Sequence, residues 1–423
     1  MLLTIHISAL PASCARVAGV RVTHVSETTA TEQVRRRPRD RRQAIEAAAA
    51  VLFAERGYHR VAMQDVADRV GITAAALYRH FENKYDLFRE VALGLVAGLD
   101  AATADVPSMT DPSPVAAREA LDALLDAIAG ASIGMRATGG IYRWESRYLH
   151  PDDRRAVRDA FAALRARIAE PARVLRPELD GATSDLAALA ALSAIASVTT
   201  HRTAIPVAPL RTLVDDAAAR VLARVALGAP GPGEEPDAPA LPRRRKDQLT
   251  QAGIALFAER GYHEVRLEDI ASAVGLTPSG VYRHFGGKAD ILLTACARAS
   301  AALDAAAEEA LGCDEPRQAL GILEDAYIRF AVEDRDLMDV YFADVGALEA
   351  EDQRRLRRVQ RAHVDDWVEL LLRVRPELEP REARCLVHAG FNVVADLAVA
   401  LRHSPTPVAR AWIAPVLEAV LGV

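Results

Sequence analysis

Apolar side chains recur along this chain at intervals of three and four residues and almost never in strict alternation. Ile45, Ala48, Ala49, Leu52 and Phe53 fall on one face of a helix, and Gly57 follows as a left-handed stop. A shorter apolar set, Val66, Ala67 and Val70, stops at Gly71, and a third helix is predicted to start after Thr73, a good N-cap. The same grammar returns later in the chain. Leu249, Ala252, Leu256 and Phe257 precede Gly261; Ile270, Ala271 and Val274 precede Gly275; Thr277 and Pro278 open a third helix. A long helix followed by two short ones across a glycine-containing turn is a helix-turn-helix pattern. The rest of the first half reads as helices near 84–102, 113–129, 133–149, 152–175, 183–201 and 206–226. The fold class expected is all-α.

The recurrence is a duplication. Residues 51–87 and 255–291 agree at 20 of 37 positions without a gap, at an offset of 204, and "LFAERGYH" stands whole in both. Farther on, "RPEL" occurs at Arg176–Leu179 and at Arg375–Leu378, an offset of 199. Units this long are duplicated domain pairs, not solenoid repeats. "GAPGPGEEPDAPALP" separates them with five prolines and three glycines, a semi-extended linker that can span up to ~45 Å in polyproline geometry. The expected organisation is an N-terminal extension (1–38), a first helix-turn-helix domain (39–86), a helical body (87–227), the linker (228–242), a second helix-turn-helix domain (243–290) and a second body (291–423).

On a helical wheel, Leu77 and Phe81 of the third helix turn inward, while Ala75, Ala76 and Arg79 turn outward with Tyr78 and His80 on the flanks. The second copy places Val281 and Phe285 inward, Ser279, Gly280 and Arg283 outward, and Tyr282 and His284 on the flanks. Laid in a major groove, the outward residues meet the floor and the flanking ones the phosphate walls. Of three lysines in the chain, two hold the same repeat position, Lys84 and Lys288. A cation at the first turn of a helix opposes the helix dipole, which points to a phosphate held there.

The stretches "GYHRVAMQDVADRVGITAAALYRHFENKYDL" and "GYHEVRLEDIASAVGLTPSGVYRHFGGKADI" resemble the DNA-binding domain of the tetracycline-repressor (TetR/AcrR) family. The resemblance covers about 50 residues per copy and rests on the glycine stop, the turn and the Y-x-H-F-x-x-K ending. It implies phosphate contacts by Tyr78, His80 and Lys84 and by Tyr282, His284 and Lys288. It also implies a following region that binds a small effector and dimerises. Thr73, Ala75, Arg79, Thr277, Ser279 and Arg283 complete the expected DNA-facing set. The family's hydroxyl residue at the start of the second helix is missing: Val61–Ala62 and Val265–Arg266 stand there, so Arg266 is the expected substitute. The function implied is a one-component transcriptional regulator, a repressor released by a small molecule. The alternative is an architectural or dimerisation protein in which only the second copy binds DNA, because the first presents mostly alanine.

Charge supports that division. The formal net charge is −6, but residues 35–90 carry +4 and 243–290 carry +2, leaving −12 on the rest. The basic runs Arg35–Arg42 and Arg243–Lys246 precede the first helix of each copy, where an arm can enter a minor groove. No nucleophile–base pair, glycine-rich phosphate loop or metal cluster is evident, which argues against an enzyme and leaves no cofactor to expect. Cys14, Cys296, Cys313 and Cys385 lack metal or disulfide spacing, as in a cytoplasmic protein. No membrane-length apolar run is expected, and the opening segment lacks the basic start of a signal peptide. Trp144, Tyr148, Tyr341, Phe342, Trp367 and Asn392, large or polar on apolar helices, are the candidate effector-pocket residues. The duplication also predicts an intramolecular pseudo-dimer, with a homodimer of chains as the competing arrangement.

Overall fold

The structure, a computed structural model, describes residues 38–107, 109, 111–138, 141, 148–225 and 242–423. The N-terminal extension, Arg35–Arg37, Trp144 and the linker up to residue 241 lie outside them. The described residues form α-helices with short 3-10 turns and contain no strand. The first unit comprises α1 (Pro38–Arg56), α2 (Met63–Val70), α3 (Ala74–Leu77), α4 (Lys84–Ala104), α5 (Pro114–Gly134), α6 (Pro151–Leu175), α7 (Gly181–Ala196) and α8 (Val207–Arg224). The second comprises α9 (Arg245–Arg260), α10 (Leu267–Ala273), α11 (Pro278–Tyr282), α12 (Lys288–Leu311), α13 (Pro316–Glu333), α14 (Arg335–Asp344), α15 (Ala350–Val374), α16 (Pro380–Ala400) and α17 (Thr406–Leu421). Ile133 belongs to α5, and most of the helix expected at 133–149 lies outside the described residues.

Each head has its own core. Ile45, Leu52, Phe53, Leu77, Phe81 and Phe88 close the first; Leu249, Phe257, Ile270, Val281, Phe285 and Ile291 close the second. The third helices have only four and five residues, too few to hold themselves. Burial of Leu77 and Phe81, worth about 2 kcal/mol each, fixes α3 in place. Gly57, Gly71, Gly261 and Gly275 all have positive φ (80°, 71°, 86° and 68°), where a Cβ would strain the turn.

The two bodies share one continuous core. Helices α7 and α8 pack against α16 and α17, so four helices bury the junction between units. Its polar contacts carry a signature of two-fold symmetry. Asn392 Nδ2 donates to the Ser193 carbonyl (2.7 Å) and Oγ (3.0 Å). Arg220 donates to the Ala419 carbonyl (2.9 Å), and Arg224 to that of Val423 (3.0 Å). Each of these pairs is 199 residues apart, the offset of the two "RPEL" motifs. Equivalent residues touch one another only beside a two-fold axis, so the units are related by a pseudo-two-fold within one chain. Ser193 Oγ also donates to Asp396. Residues 181–199 and 380–400 do reach membrane length and apolarity, contrary to expectation, and they are helices of this buried four-helix junction. Their apolar residues face their own core and the other unit together, and two thirds of each apolar stretch is buried.

Candidate functional site

Most of the residues expected to face DNA are exposed or partly exposed. Thr73, Ala75, Tyr78 and Arg79 are exposed in the first, with Ala76 and His80 partly so. In the second, Thr277, Ser279, Tyr282, Arg283 and His284 are exposed and Gly280 partly so. The tyrosines are 51% and 62% exposed although Leu77 and Val281 beside them are fully buried. Each is a large aromatic left in water beside a fully buried neighbour. Thr73 Oγ1 accepts from the Ala76 amide (3.2 Å), capping α3. Thr277 makes no such cap; its hydroxyl pairs with that of Ser279 (3.0 Å). Ala62 and Arg266 occupy the N-cap positions of α2 and α10, and Asp65 and Asp269 accept from their amides (2.7 and 2.8 Å). The carboxylates satisfy the N-cap amides, while neither Ala62 nor Arg266 caps its helix with a side chain, and Arg266 is exposed.

Lys84 and Lys288 are held by the protein itself. Lys84 Nζ donates to the carbonyls of Tyr58 (2.9 Å), His59 (3.4 Å) and Val61 (3.1 Å) and lies 4.4 Å from the Tyr58 ring centroid. Lys288 repeats this on Tyr262 (2.6 Å), His263 (3.3 Å) and Val265 (3.0 Å), again 4.4 Å from the Tyr262 ring. Three ammonium protons meet three carbonyls, so the cation at the helix start serves the loop between the first two helices. Burial lowers the Lys288 ammonium below the usual lysine range. Arg243–Lys246 are exposed, yet one cation of each basic run rests on a ring of its own head. Arg42 lies over Phe81 (4.5 Å) and donates to the His80 carbonyl (3.2 Å), and its equivalent Lys246 lies over Phe285 (5.3 Å).

The two heads also touch, which sequence reading missed although "GYH" occurs in both copies. His59 and His263, equivalent residues, face one another with ring centroids 5.0 Å apart. Tyr148 stacks on Tyr58 (5.6 Å) and meets His59 edge-on (4.4 Å), and its hydroxyl approaches Asp344 of the second unit (3.5 Å). Tyr148 is therefore a junction residue, not a pocket residue. Burial, then the facing His263, then Lys84 hold the His59 imidazole below the usual histidine range.

A cavity of about 120 Å³ opens in the second body, with Thr200 of the first unit closing part of its wall. Of the candidate pocket residues, Tyr341 and Asn392 line it. Trp367 does not: it is fully buried in the core behind, donating from Nε1 to His363 Nε2 (3.2 Å). His363, one helical turn before it, is the residue that reaches the cavity. Trp144 and the Phe342 side chain lie outside the described residues. Burial drops His363 to about 4. Its folded value lies below the unfolded one of about 6.5, so its contribution to stability is whole above that and is lost as pH falls toward 4. Glu324, pushed up to about 7 by burial, acts in the opposite sense, so the effect is best read as a difference. Relative to the wild type, His363→Leu should gain about 2 kcal/mol in denaturant melts as pH goes from 7 to 5. A pH-independent difference would show that this ring is not held neutral.

The family model described as "Bacterial regulatory proteins, tetR family" matches residues 45–91 and 249–295, the two heads. The chain thus carries the segment that this family model describes twice, once in each head. It is similar to the "HTH-type transcriptional activator FasR" of Mycolicibacterium smegmatis, at 35% identity over 102 residues, 24% of this chain and 47% of that protein. It is also similar to the "HTH-type transcriptional regulator TcmR" of Streptomyces glaucescens, at 36% over 78 residues, 18% of this chain and 34% of that one. The matches therefore span half or less of these relatives. Among solved structures, the ketosteroid transcriptional regulator KstR2 of Mycobacterium tuberculosis aligns with 43% of this chain and 93% of its own, at 27% identity and a TM-score of 0.37.

Proposed function

We propose that this chain is a sequence-specific DNA-binding transcriptional regulator whose two heads engage one operator together, and that a small molecule in the second body releases it as a repressor. The observation that carries this reading is the twice-repeated exposed face of α3 and α11, with Tyr78 and Tyr282 in water beside buried neighbours. In it, Tyr78, His80, Tyr282 and His284 grip phosphates. Arg79, Ser279 and Arg283 reach the groove floor, and Ala75 packs on thymine methyls. Thr73, Thr277 and Arg266 border the backbone. Lys84 and Lys288 hold the heads in shape and are not phosphate contacts. Release follows if the effector favours a different spacing of heads, since a ligand shifts an equilibrium only by its differential affinity for the two states.

Selection of bound sequences from random DNA, followed by footprinting, tests this. One defined tract covering two half-sites is expected, and no protection of any selected sequence would refute it. Arg283→Ala should relax specificity at one base position, costing about 1–3 kcal/mol there if the contact is bidentate to guanine. A uniform loss over all sites would make Arg283 a backbone contact. The alanine-rich face of α3 favours a second reading, in which only the second head grips DNA; its footprint would cover a single half-site.

A further inference from the structure

The cavity in the second body is built asymmetrically. Tyr327 and Phe391 stack along its wall (4.2 Å, 22°), and Phe391 lies nearly parallel to the His363 ring (5.8 Å, 14°). His363 Nε2 accepts the indole N–H of Trp367, so in the neutral ring the proton sits on Nδ1. That Nδ1 is buried and has no hydrogen-bond partner in the protein, on a residue only 8% exposed that lines the cavity. A buried donor left unpaired is costly, and it awaits an acceptor. Among the described residues no lysine or arginine lines the space, and the one carboxylate that does, Asp304, is exposed. A carboxylate ligand would find no counter-ion there, and a cation would face the N–H.

Among the described residues, the first body carries different side chains at the same register. The "RPEL" offset puts Leu164 at the place of His363, Phe161 at that of Gln360 and Leu192 at that of Phe391. Leu164 is buried in the shared core, with Phe161 packed against it. We infer that the chain has a single effector site, in the second unit only, which takes a small, neutral, ring-bearing molecule whose one acceptor oxygen, such as that of a ketone, sits on His363 Nδ1. The volume is of the order that holds one ring, as a cavity of about 150 Å³ holds benzene. This rests on the effector reading above, and names the class of effector and its stoichiometry.

Titration calorimetry on the full chain without DNA tests it with four single-ring probes. Acetophenone should bind once per chain, about tenfold tighter than α-methylstyrene, which has the same shape without the oxygen. Benzoate and phenyltrimethylammonium should bind more weakly than either. His363→Leu should erase the preference for acetophenone while keeping α-methylstyrene. Should that variant fail to fold, nitrogen-15 spectra of histidine-labelled wild type give the reading: acetophenone alone should move one imidazole N–H. Two sites per chain, equal affinity for the two neutral probes, tighter binding of either ion, or no binding of acetophenone at millimolar concentration would each overturn the proposal. Because DNA is absent, such a failure leaves the operator reading standing, and a failed footprint leaves this one standing.

Discussion

Lys84→Met and Lys288→Met should each loosen one head, lowering its stability by about 3 kcal/mol, and leave the salt dependence of DNA binding nearly unchanged. Methionine keeps the stem over Tyr58 or Tyr262 but removes the ammonium. Three carbonyls at the bend between the first two helices then lose their shared donor at once. Hydrogen bonds to a charged group contribute about 1.5–3 kcal/mol, and the cation–ring contact adds to them. The loss should be local. Amides of α1 and α2, or of α9 and α10, should exchange faster while those of α7 and α16 stay protected. A variant of undiminished stability whose salt slope falls by about one unit would return these lysines to the phosphate backbone.

The second large effect concerns mass. Light scattering of the purified chain should give 45.6 kDa, and one chain should occupy one operator. The junction of α7, α8, α16 and α17 already joins two units within the chain, which leaves that surface closed to a second copy. Since α3 presents "AAAL" and α11 "PSGVY", the preferred operator should have unlike half-sites. A stable species of twice the mass bound to a perfect palindrome would contradict the pseudo-dimer. Ser193→Val offers a milder probe. It removes one hydrogen bond each from Asn392 and Asp396 at the axis, and should cost about 2 kcal/mol in global unfolding.

How much of this was legible in the chain follows from distance along it. The helices, the buried Phe81 and Phe285 and the exposed tyrosines depend on periodicity within a dozen residues, and the duplication printed each pattern twice. The setting of Lys84 was not legible because its partners lie 23 to 26 residues away, and no local pattern says that the ammonium meets carbonyls rather than solvent. Trp367 and His363 share one face of α15 a single turn apart. Periodicity says that this face is buried; only packing says that the imidazole reaches the cavity and the indole lies behind it. Tyr148 escaped for a third reason, since its neighbours belong to both heads. The junction itself was anticipated from the linker's reach (up to ~45 Å) against half-sites about 34 Å apart, but its residues were not.

The pseudo-two-fold axis, with Ser193 facing Asn392 and Arg220 facing Ala419, has a consequence for inheritance. In a homodimer every codon change is expressed on both sides of the axis, so a substitution good for one half and bad for the other is tried only in duplicate. Here each half has its own codons. A serine can face an asparagine, and a leucine can fill in one body the place where a histidine opens a cavity in the other. Written once per side, the two halves are free to become different instruments.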